Sequence, residues 1–293
     1  GTVNPAAEIA ARARLQGALV FVDAAQSVGH QPVRFADLDC DALVFSAHKA
    51  YGPMGLGFLV ARPELLGRLE PLEGGGEMIE WVHLDNATWA EVPHRFEAGT
   101  PNVAAAAAFP PALDLLDELG LETVRRHEEA VTAHALDQLQ RLGGLTVFGP
   151  PRAAERAGLV SFADPDVHPH DMSTILDQAG VIVRAGHHCA QPLHRRLGVP
   201  ASTRASFGIY TTRDEVDALV DGIRTARKVF GRWWKDPWTR STARSCSTTT
   251  ATRAGRDRWT TTTCRSLAPT RAAATRSPCR CVSTASASPP SAS

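Results

Sequence analysis

The stretch VFSAHKAYGPMGLGFL, from Val44 to Leu59, begins as an apolar strand and runs into a glycine-rich turn. Its polar side chains come where the strand ends, at Ser46, His48 and Lys49. Folds of the α/β class bind ligands at the carboxyl ends of their strands. The stretch therefore predicts a strand followed by a turn that presents Lys49 at a ligand-binding edge.

A second stretch, FVDAAQSVGH from Phe21 to His30, has the same design. Its apolar strand ends at Asp23, and Gln26 follows three residues later. Unbroken apolar strands that alternate with helical segments indicate a parallel sheet covered on both faces. We therefore expect an α/β domain in which Asp23 emerges from the carboxyl end of a parallel strand.

Helical spacing and apolar runs continue along the first 230 residues. The predicted helices are Pro5–Leu15, Val103–Leu119, Glu122–Leu142 and Thr212–Val229. The predicted strands are Ala18–Val22, Asp41–Phe45, Gly57–Val60, Leu145–Phe148, Leu159–Phe162, Val181–Arg184 and Arg204–Phe207. The predicted loops include EGGGEM (Glu73–Met78) and FEAGTPN (Phe96–Asn102). This order favours an α/β domain over residues 1–102 and a small α+β domain over residues 103–230.

Charge and composition separate the last part of the 293-residue chain from the rest. Residues 1–230 hold 20 Lys and Arg against 29 Asp and Glu, whereas residues 231–293 hold 11 against 2. Because the second segment has almost no aliphatic residues, it cannot bury enough apolar surface to offset its ordering entropy. We predict that residues 231–293 form a disordered basic tail.

Cellular location is constrained by hydropathy and cysteine use. No apolar run approaches the ~20 residues that a membrane-spanning helix needs, so we expect no membrane association. Only Cys40 and Cys189 lie before the basic tail, and two cysteines so far apart do not make a disulfide framework. A reducing compartment such as the cytoplasm fits this usage.

The polar residues of the first two stretches match the needs of pyridoxal 5'-phosphate. This cofactor requires a lysine amine for covalent attachment and an acidic partner for its ring nitrogen. A hydroxyl and an imidazole beside the lysine can bind its phosphate. Asp23 alone could be a helix cap, and Lys49 alone could be a surface lysine. Together with Ser46 and His48, they predict a pyridoxal-phosphate site.

The stretch RAGHHCAQP, from Arg184 to Pro192, places a thiol directly after two histidines. One interpretation of Cys189 is a buried structural cysteine beside incidental histidines. The other is a nucleophile whose thiolate fraction is raised by His187, His188 and the cationic Arg184. Zinc could bind this pair and the thiol, but no fourth ligand stands at a suitable spacing, so we expect no metal.

Five motifs in this order, VDAAQS, FSAHKAYGPMGLG, EGGGEMI, RFEAGTPN and RAGHHCAQP, resemble the SUF-type cysteine desulfurases of the class V aminotransferase group. The resemblance covers about residues 1–230. It implies a partial pyridoxal-phosphate fold-type-I large domain, mostly parallel sheet with helices, followed by a small α+β C-terminal domain. It also implies a homodimer that converts L-cysteine to L-alanine and leaves a persulfide on Cys189 for iron–sulfur cluster assembly.

The same resemblance implies a role for individual residues. Lys49 would hold the cofactor and move the Cα proton, while Asp23 would pair with the ring nitrogen and Gln26 with the ring hydroxyl. The remaining implied roles are phosphate binding by Ser46, His48 and, across the dimer interface, Thr100; substrate carboxylate binding by Arg204 with Arg184 nearby; and catalysis at Cys189 assisted by His188.

Two features depart from the family pattern. The chain begins with GTVNP, inside the family's large domain, so we expect the 293-residue polypeptide alone to be a weak or inactive catalyst. In the tail, the run STARSCSTTTATR (Ser241–Arg253) is what GC-rich codons give when they are translated one base out of frame. The peptide in the other frame resembles the start of the zinc-containing sulfur-acceptor scaffold, the partner implied for these enzymes. We interpret residues 231–293 as frameshifted sequence.

Three function classes follow from these observations. The first is a cysteine desulfurase, whose substrate is L-cysteine and whose product sulfur passes to a scaffold protein. The second is a selenocysteine lyase or another class V aminotransferase-like enzyme, because one scaffold hosts many chemistries. The third is a non-catalytic product whose basic tail binds polyanions. The thiol at Cys189 favours the cysteine desulfurase. For this enzyme we expect no nucleic acid as a partner.

Overall fold

The computed structural model describes the backbone of residues 1–234 and the side chains of residues 1–230. The last helix extends to Trp234, so residues 231–234 are helical and the tail predicted from residue 231 begins too early. The hydrogen-bond ladder of a helix can run on through a single glycine such as Gly231, at a cost of about 1 kcal/mol relative to alanine. The rest of that predicted tail, residues 235–293, lies outside the described residues.

Helices and strands alternate along the described chain. The helices are α1 (Ala6–Arg14), α2 (Phe35–Leu38), α3 (Pro63–Leu66), α4 (Val103–Ala108), α5 (Pro110–Leu119), α6 (Leu121–Leu142), α7 (Pro169–Gln178), α8 (Gln191–Leu197) and α9 (Arg213–Trp234). The strands are β1 (Phe21–Asp23), β2 (Ala42–Ser46), β3 (Gly57–Ala61), β4 (Ile79–Val82), β5 (Ala87–Trp89), β6 (Thr146–Phe148), β7 (Leu159–Ala163), β8 (Arg184–Gly186) and β9 (Ser202–Ser206). Short 3₁₀ turns lie at Ala47–Lys49, His94–Phe96 and Ala153–Glu155.

The first sheet has the strand order β1-β2-β3. β1 and β2 are parallel, as predicted, and Asp23 pairs with Val44. β3 is antiparallel to β2, so this three-stranded sheet is mixed, whereas the run Gly57–Val60 was expected to belong to a parallel sheet. The physical reason is the short connection 47–56, since a crossover to a parallel strand needs about a dozen residues or more.

The second and third sheets are antiparallel throughout. β4 and β5 form a two-stranded hairpin that the sequence analysis did not predict, because Trp81, Val82 and Leu84 on it are exposed and lack alternation. The third sheet has the order β6-β7-β9-β8 and lies in the second half of the chain. These pairings agree with the α+β character predicted there.

One face of the third sheet packs on α6, α7 and α9. Phe162 on β7, Leu176 on α7 and Ile223 on α9 are completely buried there. Burial of each such side chain contributes about 1.5–3 kcal/mol relative to exposure. α9 begins with a capping box, in which the Glu215 carboxylate accepts hydrogen bonds from the Thr212 amide and hydroxyl. This core holds β9 in place through Ala205, with Phe207 directly after the strand.

Several element boundaries differ from the predicted ones. The single helix predicted over Val103–Leu119 is two helices, because Pro110 lacks an amide hydrogen and begins a new helix after Phe109. The strand predicted over Val181–Arg184 is displaced to β8. Helices α7 and α8, which begin with Pro169 and Pro192 in their first turns, had no prediction. The division at residues 102 and 103 stays a prediction.

A second apolar cluster joins the first sheet to the helices that follow it. Ala47 and Ala50, on either side of Lys49, are buried against Phe109 and Leu116. Within residues 1–234 no helix is long and apolar enough to cross a membrane.

Candidate active site

Asp23 and the Lys49 turn lie at the same edge of the first sheet. Parallel strands have their carboxyl ends at one edge, and β1 ends at Asp23 next to Val44 of β2. β2 ends at Ser46, and the 3₁₀ turn that follows ends with Lys49. Asp23 is exposed and accepts a hydrogen bond from the Ala25 amide at 2.9 Å. The carboxylate and the amine therefore leave neighbouring strands at the same edge.

The backbone of the lysine turn is fixed by close packing against the loop after β1. At Gly29, a Cβ atom would lie 2.8 Å from the Lys49 carbonyl oxygen and 2.9 Å from the Ala50 Cα atom. Such distances are shorter than van der Waals contact, so only glycine fits this loop against the turn. The Ala50 and Gly52 amides both donate to the Ala47 carbonyl, which closes the turn. The position of Lys49 is thus set by backbone contacts.

The predicted phosphate-binding residues occupy less defined positions. Ser46 is half-buried at the end of β2, and His48 is exposed in the turn. Thr100 is exposed in the connector before α4. That connector packs on the EGGGEM loop, where a Cβ on Gly75 would lie 3.1 Å from the Ala98 side chain. The structure brings Ser46 and His48 next to Lys49, whereas Thr100 lies on a separate segment.

A cleft of about 1190 Å³ opens beside the carboxyl edge of β1. Asp23 and Gln26 line it from the first sheet, and His188 and Arg204 line it from the third sheet and its following loop. Lys49, Ser46, His48, Thr100, Arg184 and Cys189 do not line it. The cleft therefore unites four of the predicted site residues.

Two polar atoms at this cleft are buried and lack a hydrogen-bond partner within residues 1–230. They are Nε of Arg204, which is a donor, and Nδ1 of His188. Most buried polar atoms in native proteins are paired, so these two atoms need a partner that residues 1–230 do not supply. A group with an anionic acceptor is the natural partner of Arg204.

Arg204 is held in the middle of the third sheet. It pairs with Ser161 of β7 on one side and with Arg184 of β8 on the other. Burial lowers the pKa of its guanidinium, and the like charge of Arg184 lowers it further. No ion pair reaches Arg204 from the described acidic residues. The arrangement leaves two cations ready to bind a carboxylate.

Cys189 lies on the loop between β8 and α8. The φ angles of His188 and Cys189 are 51° and 61°, in the left-handed region that non-glycine residues rarely adopt. The loop closes through a hydrogen bond from the Ala190 amide to the His187 carbonyl at 2.8 Å. The Cys189 thiol is free and exposed, so the buried structural interpretation of this cysteine is wrong. A thiolate at Cys189 would raise the pKa of Arg204, which puts the two groups within electrostatic range.

His188 is a neutral ring at physiological pH. Burial, with the positive charge of Arg204 next, lowers its pKa from 6.5 to about 4. Its Nε2 atom lies 3.1 Å from the Ser202 carbonyl oxygen. A neutral His188 adds no positive charge near the thiol, whereas Arg204 and Arg184 do. The catalytic role of His188 stays a prediction.

Sequence analysis missed three residues of the cleft. His30 lines it and bonds to the fully buried Glu128 carboxylate at 2.7 Å. Ser202 lies two residues before Arg204, and alternation along a strand puts the two on one face of β9. His194 lies one helical turn after Ala190. The strand period was the signal that could have identified Ser202.

The residues present fit pyridoxal phosphate. A lysine and an aspartate leave adjacent parallel strands at one edge, beside hydroxyl and imidazole groups of Ser46 and His48. The unpaired Nε atom of Arg204 adds a hydrogen-bond donor for an anionic group. Among the described residues, no group of three or more His, Cys, Asp or Glu side chains is arranged to hold a metal ion.

Comparison with known proteins gives one family. A family model described as "Aminotransferase class-V" matches residues 1–219. A cysteine desulfurase of Haloferax volcanii is 49% identical over 230 residues, which are 78% of this chain and 54% of that protein. A probable cysteine desulfurase of Streptomyces coelicolor is 47% identical over 231 residues, or 79% of this chain and 55% of that protein. The chain spans about half the length of the curated relatives it matches.

Solved structures agree with this result. The apo structure of a cysteine desulfurase from Thermococcus onnurineus NA1 superposes with a TM-score of 0.74 at 38% identity, covering 78% of this chain and 57% of that one. A structure at 28% identity and a TM-score of 0.63, covering 76% of this chain and 56% of that one, holds glycine covalently linked to its pyridoxal-phosphate cofactor. These likenesses confirm the predicted fold class, a partial fold-type-I large domain followed by further α and β elements.

Proposed function

The chain belongs to the class-V aminotransferase family, and we propose on that premise that it carries the chemistry of a cysteine desulfurase. The substrate would be L-cysteine, the products L-alanine and a sulfur atom bound to Cys189 as a persulfide. The observation that supports this most is a cleft lined by Asp23, Gln26 and Arg204, whose Nε atom has no hydrogen-bond partner. The exposed thiol of Cys189 lies on the loop that contributes His188 to this cleft. The names of the relatives at 47–49% identity support the same reaction.

Pyridoxal phosphate, when bound, supplies an electron-accepting ring that stabilises negative charge on the substrate carbon atoms. Lys49 would hold this cofactor through its Nζ atom. The Asp23 carboxylate would keep the ring nitrogen protonated, and Gln26 would donate a hydrogen bond to the ring oxygen. Ser46 and His48 would bind the phosphate, with Thr100 of a second subunit.

Each protein group then has a defined task. Arg204 binds the substrate carboxylate through its planar guanidinium, and Arg184 adds positive charge nearby. The Lys49 amine, once free, takes the Cα proton and later returns it. The Cys189 thiolate attacks the sulfur of the substrate, so that a sulfur–sulfur bond forms as the carbon–sulfur bond breaks. The electron pair of that bond stays with Cβ, which gains a proton to become the methyl group of L-alanine.

The exposure of Cys189 supports transfer of its sulfur to a second protein. The outer sulfur of a persulfide on a surface loop is open to attack by another thiol, which leaves Cys189 as the free thiol again. We propose that the acceptor is a scaffold protein of iron–sulfur cluster assembly. We also propose a homodimer that acts in the cytoplasm.

A single-turnover experiment tests the reaction without requiring fast catalysis. The purified chain is incubated with pyridoxal phosphate, treated with L-cysteine, and analysed by peptide mass spectrometry after alkylation. We expect a borohydride-stable cofactor adduct on the Lys49 peptide, formation of L-alanine, and one added sulfur atom on the Cys189 peptide.

Two variants make that experiment specific. Cys189→Ala should keep the Lys49 adduct but lose protein-bound sulfur, whereas Cys40→Ala should keep both, because the Cys40 side chain is fully buried. L-Alanine formed by Cys189→Ala as fast as by the unsubstituted protein would contradict the proposal. Release of selenium from selenocysteine with no sulfur taken from L-cysteine would assign a lyase instead.

A further inference from the structure

Three side chains at the cleft are joined by hydrogen bonds. His188 Nε2 lies 3.0 Å from the Ser202 hydroxyl oxygen, and His194 Nε2 lies 2.9 Å from the same oxygen. All three residues line the cleft, and Ser202 and His194 are buried there. One hydroxyl group therefore stands between two imidazole rings.

The backbone sets the orientation of the His194 ring. His194 Nδ1 lies 3.0 Å from the carbonyl oxygen of Ala190, which can only accept a hydrogen bond. Nδ1 of His194 must therefore carry the hydrogen, and in the neutral ring Nε2 is an acceptor. The Ser202 hydroxyl then donates its single hydrogen to His194 Nε2.

The direction of this hydrogen bond decides the tautomer of His188. With its hydrogen given to His194, the Ser202 hydroxyl offers only lone pairs to His188 Nε2. The Ser202 carbonyl oxygen, 3.1 Å from the same nitrogen, can also only accept. Two acceptors face Nε2 of His188, so Nε2 carries the hydrogen and Nδ1 carries a lone pair.

The lone pair on Nδ1 has no partner within the described side chains. The atom is buried, and the only other buried unpaired polar atom at the cleft is Nε of Arg204, a donor. Burial and the charge of Arg204 lower the pKa of His188 to about 4, so Nδ1 is not protonated at neutral pH. A fixed acceptor and a fixed donor thus belong to two residues that line the same cleft.

We propose that His194, acting through the Ser202 hydroxyl, is a positioning residue that holds His188 in the Nε2–H tautomer, so that Nδ1 accepts a hydrogen bond from the bound amino acid. The second half rests on the proposed function, because it needs an amino acid in the cleft. The first half concerns the protein alone. His188 then acts as an acceptor toward the substrate while Arg204 acts as a donor.

The tautomer is measured directly by nitrogen-15 NMR of the histidine rings in the cofactor-loaded chain. We expect one His188 signal, assigned by its loss in His188→Gln, with Nε2 protonated and Nδ1 bare at pH 7. His194→Met removes the acceptor, frees the hydroxyl to donate to His188 Nε2, and should produce a second His188 signal with Nδ1 protonated. His194→Gln restores an acceptor oxygen and should suppress that signal.

A double substitution separates this mechanism from general loosening of the fold. Adding Ser202→Ala to His194→Met removes the competing hydroxyl, while the carbonyl oxygen of residue 202 remains, so the single Nε2–H signal should return. His187→Gln, on the neighbouring exposed ring, should change nothing. A single unshifted His188 signal in His194→Met, or a protonated Nδ1 in the unsubstituted protein, would overturn the tautomer assignment.

The substrate contact is tested in the same spectra. L-Cysteine is added to Cys189→Ala, which cannot accept sulfur, until the cofactor absorbance stops changing. We expect the His188 Nδ1 resonance to shift toward that of a hydrogen-bonded nitrogen. An absorbance change without this shift overturns the contact, while failure of L-cysteine to change the absorbance contradicts the proposed function and leaves the tautomer result standing.

Discussion

The Lys49 turn and the Cys189 loop are built on opposite principles. The turn follows directly from a strand in the middle of a sheet, its flanking alanines are buried, and Gly29 lies against its backbone. The loop follows a three-residue edge strand, has two consecutive left-handed residues, and exposes its thiol to solvent. Packing fixes the turn that carries Lys49, whereas the loop exposes the Cys189 thiol to solvent.

The difference matches the two kinds of chemistry proposed for these residues. A lysine bound to a cofactor must stay in one place, so its position benefits from rigid strand ends. A thiol that first attacks a substrate and then meets a second protein must reach two partners, which a loop permits. Arg204 and His188 line the cleft together with Asp23, whereas Lys49 and Cys189 lie outside its lining.

The largest effect should come from removing the fixed group itself. Lys49→Ala takes away the amine to which the cofactor would bind, so borohydride labelling with pyridoxal phosphate should fall from near-stoichiometric to background. Peptide mass spectrometry measures the label. Lys228→Ala is the matched control, because Lys228 is an exposed lysine on α9. Equal labelling of Lys49→Ala and the control would show that Lys49 does not bind the cofactor.

The second-largest effect should come from replacing Arg204, the residue proposed to bind the substrate carboxylate. Charge-assisted hydrogen bonds contribute about 1.5–3 kcal/mol, so Arg204→Ala should weaken binding of L-alanine to the cofactor-loaded chain about 10- to 100-fold. Arg204→Lys should recover only part of this loss, because a lysine lacks the planar fork. Absorbance titration measures the Kd. Arg196→Ala, on the exposed side of α8, should leave it unchanged, and a similar loss there would show a general charge effect.

Sequence patterns were most informative where function is attached to strand ends. The apolar runs before Asp23 and Lys49 predicted strands whose carboxyl ends meet, and the parallel pairing of β1 with β2 agrees with that expectation. The roles of the individual residues remain predictions. The resemblance to class V enzymes, carried by five motifs, predicted the family that the comparisons confirm.

Prediction was weakest where tertiary contacts decide the structure. The short connection 47–56 could have indicated that β3 is antiparallel. No local pattern indicates that Val181 and Ile182 precede β8 rather than form it. The network of Ser202 and His194 joins β9 to α8 through side chains that lie outside the five motifs. Its hydrogen bonds depend on how the loop after β8 packs, and composition or spacing does not contain that information.

A smaller effect should come from disturbing the packing that makes the turn rigid. In Gly29→Ala the new methyl group meets the Lys49 carbonyl and Ala50 Cα, neither of which can move alone. We expect destabilisation of about 1–3 kcal/mol, seen as a fall in Tm of several degrees, with reduced cofactor labelling. Gly76→Ala is the control, because nothing lies within 4 Å of a Cβ there. An unchanged Tm in Gly29→Ala would mean that the turn adapts, and the contrast with the loop would weaken.

The smallest effect concerns the protonation of His188 on the loop side of the cleft. Its pKa is lowered to about 4, chiefly by burial and then by Arg204, with lesser contributions from His194 and Arg184, while the Ser202 carbonyl opposes the shift. Between pH 6.5 and 4 the unfolded chain therefore binds more protons than the native one, so stability falls as the pH falls. Because the ring is partly exposed, screening limits the loss to about 1–2 kcal/mol. His188→Gln should lose less Tm than the unsubstituted protein between pH 7 and pH 5, and His187→Gln should not. Equal losses in all three proteins would mean that folding does not lower the pKa of His188.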